Sequence, residues 1–279
     1  MPDIMRIAGI ILIAGLALSG AHADTLFTRD IVHTGQVVRV TADGVVIKVG
    51  ENEFTVARQD VLSAEIAKPD AVEKSLSVWR AGKNQDALAG LKPITDRYAG
   101  LPLPWIEECL IRIGDIQIAL KDYVGAKKTF DVFKSLYPQS ARAQMADVGN
   151  ARSLFAQGQA DKAMTAVQAV LDPLLKRDYL TDDQETTVAA CLMLLGDCFA
   201  AAGRHDDALD SYLKIVALFD TDEDQTATAK YKAGKLFEQR GNWRRAKQNY
   251  DELLKANPNI AIVDDAKKRL ADLIQTHPE

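Results

Sequence analysis

Four histidines, three cysteines and a scatter of carboxylates are the side chains of this 279-residue chain that could carry chemistry. A zinc site needs three or four His, Cys or acidic ligands close together. Proton transfer needs a titratable group held within hydrogen-bond reach of a substrate. His22 falls in the N-terminal apolar region and His277 in the C-terminal tail, while His33 and His205 have no second ligand at metal spacing. Cys109, Cys191 and Cys198 are odd in number, so at least one thiol stays free. Cys191 and Cys198 are seven residues apart in one predicted helix, about 10 Å by helical rise. That exceeds the reach of about 4.4–6.8 Å between the Cα atoms of a disulfide, so buried structural thiols are expected. Asp182-Asp183 and Asp220 to Asp224 are acidic clusters, but Asp222, Glu223 and Asp224 lack the spacing and glycine of a calcium loop. There is no nucleophile elbow, phosphate-cradling glycine loop or HExxH helix. No catalytic residue, metal or cofactor is therefore expected, and the chain reads as a non-enzyme.

Partners are bounded by charge and by the N-terminus. The net charge is −5, with both signs mixed along the chain, which excludes the basic stripe that nucleic acid requires. Arg6, the apolar run Ile7 to Leu18 and the small-x-small stretch Ala21-His22-Ala23 form an export signal. A run of twelve apolar residues is too short for a permanent membrane span, and no cysteine follows the cleavage site to carry a lipid. The expectation is a signal peptide over 1–23 cleaved after Ala23, a periplasmic chain starting at Asp24, and no integral span in it.

Two kinds of element must then hold whatever function remains. Within residues 24–67, Gln36–Thr41, Val45–Val49 and Glu53–Ala57 are β-branched and partly alternating, with turns at Asp43-Gly44 and Gly50-Glu51-Asn52. Val61–Ile66 offers a fourth short strand, so a small antiparallel sheet or partly closed barrel is expected. Its four basic and seven acidic residues argue against an RNA-binding role. A capping or docking module for the helices that follow is the favoured reading.

Residues 68–279 read as an array of helix hairpins. The clearest unit spans Ala227 to Pro258: small residues at Gly234 and Ala246 allow close helix approach, Gly241 makes the turn, Tyr250 fills the gap and Pro258 stops the second helix. The same spacing places Ser75, Gly82, Ala87 and Leu91 in a first unit, where Pro93 should kink the second helix. Leu110, Ile113, Gly114, Ala126, Phe130 and Pro138 mark a second unit; Ala151, Gly158, Ala163, Val167 and Pro173 mark a third. Leu192, Leu195, Gly196, Phe199, Gly203, Ala208 and Tyr212 mark a fourth, opened by the capping-box pattern Thr181-x-x-Gln184. Residues 260–276 form a last amphipathic helix suited to covering the end.

This pattern resembles the tetratricopeptide repeat, which implies a mainly α fold: an α-solenoid of about five hairpins with a capping helix, preceded by the small β module. The steps between second-helix alanines, Ala87 to Ala126, Ala163, Ala208 and Ala246, are 39, 37, 45 and 38 residues, longer than the family's usual ~34. Asn257-Pro258-Asn259-Ile260 with Asp265–Leu270 is similar to exported bacterial envelope members, including the Tol–Pal-associated coordinator and outer-membrane assembly lipoproteins. That likeness covers only the last two repeats, and the coordinator's coiled coil has no counterpart here. The resemblance implies that first helices line a concave groove, exposing Ile111, Asp115 and Ile118; Val148, Arg152 and Phe155; Met193 and Asp197; and Tyr231, Lys235 and Glu238. Such a mixed floor suits an extended peptide or partner helix. A non-catalytic envelope scaffold with a protein or peptide partner is the leading expectation. The alternative is a structural, self-oligomerising envelope module with the β unit as its docking surface.

Overall fold

Each hairpin of the helical array turns through a residue with positive φ: Gly82, Gly158, Gly203 and Gly241 in four turns, and Lys121 (φ 63°) in the other. The computed structural model describes residues 11–14, 23–219, 222–256 and 260–278. Most of the expected leader, and Asp220, Asn257, Pro258 and Asn259, lie outside these residues. The helices are α1 (Asp70–Arg80), α2 (Asn84–Tyr98), α3 (Pro104–Ala119), α4 (Tyr123–Leu136), α5 (Ala143–Ala156) and α6 (Ala160–Leu174). They continue as α7 (Asp182–Ala201), α8 (His205–Leu218), α9 (Glu223–Gln239), α10 (Trp243–Ala256) and α11 (Val263–Thr276). Successive helices pack as antiparallel hairpins, and α11 closes the end against α10. This is the expected solenoid of five hairpins and a capping helix.

Local chemistry explains the boundaries. Pro104 opens α3 at its first turn, where a missing N–H costs nothing. Asp122 and Asp222 cap α4 and α9, accepting from the N–H groups of Gly125 and Gln225 at 2.9 Å. The Thr181/Gln184 capping box forms at the start of α7. Helix α2 continues past Pro93 to Tyr98, and α6 ends one residue after Pro173.

Close packing needs the small residues. A Cβ on Gly114 would come within 2.3 Å of the Phe130 ring, and one on Gly149 equally close to the same ring. Phe130 therefore lies against two backbones and is fully buried. Tyr212 and Tyr250 hold the matching places against Gly196 and Gly234. Burying a side chain of this size contributes about 1.5–3 kcal/mol.

Strands β1 (Ile11–Ala14), β2 (Asp24–Phe27), β3 (Ile31–Val40), β4 (Val45–Val49), β5 (Asn52–Val56) and β6 (Ser63–Glu65) precede the helices. The order is β5-β4-β3-β2-β6, antiparallel throughout, with β1 pairing parallel to β3 from Ile11/Ile31 to Ala14/Thr34. β3 is longer than expected because its first half pairs with β2 and its second with β4, with an irregularity between Val37 and Arg39. The sheet docks on α2, where Arg97 Nε donates to the Val37 carbonyl at 2.7 Å. Asp24 accepts from the Val37 N–H at 2.8 Å; burial raises its carboxyl pKa, against the lowering pull of that bond and of Arg97.

A concave chamber as the candidate functional site

First helices α3, α5, α7 and α9 stack side by side, and the superhelix curves until its first hairpin meets its fifth. Arg80 Nε at the end of α1 donates to Asp224 Oδ2 at the start of α9, at 3.0 Å. Close by, a Cβ on Gly82 would lie 3.7 Å from that of Ala261. The concave side thereby becomes a chamber of about 860 Å³ walled by α1, α3, α5, α7, the start of α9 and residues 260–261. Its volume is within the range of ligand sites, about 300–1,000 Å³.

Trp79, Met145, Met193 and Leu194 supply apolar wall. The polar side is a chain of charges. Arg112 lies 4.9 Å over the Trp79 ring, with Glu108 Oε1 3.9 Å and Asp115 Oδ2 3.8 Å away. Arg152 Nη2 approaches Asp115 Oδ1 at 3.1 Å. The angles at this contact make no hydrogen bond, and both Asp115 oxygens and Arg152 Nε and Nη2 are buried without one. We read it as a Coulombic contact. Asp197 differs: it accepts from the Tyr212 hydroxyl at 2.7 Å and from Lys232 Nζ at 2.5 and 2.7 Å.

Of the expected groove residues, Asp115, Arg152, Met193 and Asp197 meet in the chamber. Ile111 and Val148 are 3% and 0% exposed and belong to the core, because α3 packs directly on α5 and consumes the facing side chains. Ile118 and Phe155 are half-buried against that core. Tyr231, Lys235 and Glu238 gather at the far end under α11. There Tyr231 donates to Asp265, Glu238 Oε2 accepts from Arg269 Nη1 at 3.1 Å, and Lys235 lies 5.5 Å over the Tyr231 ring. Periodicity missed Trp79, Arg80, Arg112 and Asp222 to Asp224, because nothing in the spacing of a single hairpin reports how far five of them curve.

The cysteines offer no nucleophile. All three are free and buried. Burial pushes the Cys109 and Cys191 thiols up to about 12 and Cys198 to about 11, which keeps them protonated at neutral pH. Among the described residues no group of three His, Cys or acidic side chains could hold a metal ion, and no helix is long and apolar enough to cross a membrane.

Residues 108–140 and 187–259 match models of the tetratricopeptide repeat. No curated protein matches the chain. Among solved structures, a tetratricopeptide repeat protein from Parabacteroides merdae is similar at 17% identity and a TM-score of 0.51, over 72% of this chain and 70% of the other. A thermophilic tetratricopeptide protein of Thermus thermophilus is similar at 16% identity and a TM-score of 0.50, over 74% and 98%. These likenesses carry the fold and nothing finer.

Proposed function

We propose that this tetratricopeptide-type solenoid is a non-catalytic interaction scaffold, exported to the periplasm, that holds a peptide or partner helix on its concave side. The repeat fold itself supports a protein partner. The finer reading is carried by the chamber, where apolar wall from Trp79, Met145 and Met193 alternates with charges of both signs. Anchors in such a recess give a disproportionate share of binding energy. Export is supported by the charged, apolar and small-residue series over residues 1–23.

The test is a pull-down from envelope extract with Met193→Ala. Met193 packs only partly into the core, so the variant is expected to fold and to lose the natural partner. Retention of full binding overturns the groove reading. Sequencing the envelope protein should find Asp24 first, and a cytosolic product starting at Met1 would sink the export reading. A second reading, docking through the β unit, is favoured by β5: it is an edge strand with Phe54 49% exposed. Strand edges of this kind accept partner strands. Loss of the partner on deleting residues 24–67, with Met193→Ala silent, would favour that reading.

A further inference from the structure

The repeats report on one another. In the fourth hairpin the acid after the small residue, Asp197, takes its hydroxyl donor from Tyr212, sixteen residues beyond Gly196. In the fifth, Tyr250, sixteen beyond Gly234, gives its hydroxyl to Glu238. The second hairpin has the same acid, Asp115 after Gly114, but the residue sixteen beyond is Phe130, which has no hydroxyl to give. The Asp115 side chain is only 8% exposed and faces the chamber, and neither of its oxygens accepts a hydrogen bond from another protein group. A buried carboxylate left this way is costly unless a donor arrives.

We infer that Asp115 is the receptor for a cationic side chain, lysine or arginine, presented by a bound peptide; this rests on the concave-binding reading above. The charge of the chamber as a whole selects the sign. Three arginines and six carboxylates line the chamber, and Lys232 neutralises only Asp197. Arg152 at 3.1 Å and Arg112 at 3.8 Å, the latter shared with Glu108, balance the local charge without satisfying the Asp115 lone pairs, so an incoming ammonium or guanidinium supplies the missing donors. Trp79, Met145 and Met193 are placed to cover the aliphatic stem, as long basic side chains require. An acidic peptide would add charge to an already acidic wall.

The probe is a positional-scanning library of N-acetylated octapeptide amides, each pool fixed at one position, titrated against the full chain and read by tryptophan fluorescence. Pools fixed with Arg or Lys should bind about ten-fold or more tightly than those fixed with Gln or Glu, the scale of a charge-assisted hydrogen bond. Asp115→Asn should abolish that preference. Equal binding of Arg and Gln pools, or a preference that survives Asp115→Asn, overturns the inference while leaving concave binding intact. No saturable binding by any pool overturns both readings together. The library arm uses the unaltered chain, so the outcome stands even if Asp115→Asn fails to fold.

Discussion

Lys121 is the only non-glycine residue with positive φ among those described, and it stands where four other hairpins turn through glycine. A Cβ in that region costs roughly 1–2 kcal/mol, against roughly 0.5–1 kcal/mol of extra chain entropy for glycine. Lys121→Gly should therefore stabilise by about 0.5–1 kcal/mol, visible as a higher urea midpoint with an unchanged slope. The reverse holds at Gly114, where an added Cβ meets Phe130 at 2.3 Å. Gly114→Ala should cost about 1–3 kcal/mol by overpacking, and the same melt reads it. The small positions were legible in three hairpins because Gly114, Gly196 and Gly234 keep one distance from a following aromatic that packs on them. What periodicity does not show is the exception: Phe130 in place of tyrosine keeps the spacing, yet leaves Asp115 without the hydroxyl donor that Asp197 has from Tyr212.

The elements were legible to different degrees for a physical reason. Helices carry a signal over a dozen or more residues, so five hairpins and the capping helix could be read directly. The strands β1 and β2 could not: four residues each give no periodicity, and their places come from pairing, β1 with β3 and β2 between β3 and the distant β6. The end helix α11 was readable as an amphipathic stretch covering the last hairpin, but its polar contacts to α9, Tyr231 to Asp265 and Arg269 to Glu238, were not. Asp265's carboxyl sits below the usual carboxylate range, first because the Tyr231 hydroxyl donates to it and then because Arg269 does. A depressed value means this support is present above the ordinary carboxylate pKa and is lost as pH falls through the folded-state value. The site is half-exposed, so solvent screening keeps the effect small. The melting temperature of Asp265→Asn should fall below that of the unaltered chain at neutral pH, and the two should converge in acid. A gap that persists in strong acid would assign the loss to packing instead.

At the scale of the molecule, strength and curvature come from different places. Each hairpin stacks on the next over a broad apolar surface, whereas the closure of first hairpin on fifth rests on Arg80–Asp224, 144 residues apart, and the approach of Gly82 to Ala261. That ion pair is about one-third exposed on both sides, a setting in which pairs are worth roughly 0–1 kcal/mol. The chamber is therefore closed by a latch far weaker than the repeats it joins. Solenoids accumulate small rotations at each interface, so releasing one end displaces it without unfolding anything. Arg80→Ala should leave the urea midpoint within the equivalent of about 1 kcal/mol. It should lengthen and broaden the distance between spin labels placed on exposed Lys83→Cys and Glu223→Cys, the native cysteines being buried. Raising salt to about 1 M, where the screening length falls to ~3 Å, should reproduce part of that broadening in the unaltered chain. A peptide seated against Asp115 should narrow the distribution again, because it binds the walls the latch brings together. A label distance unmoved by both Arg80→Ala and salt would mean that stacking alone sets the curvature, and that the chamber is permanently formed.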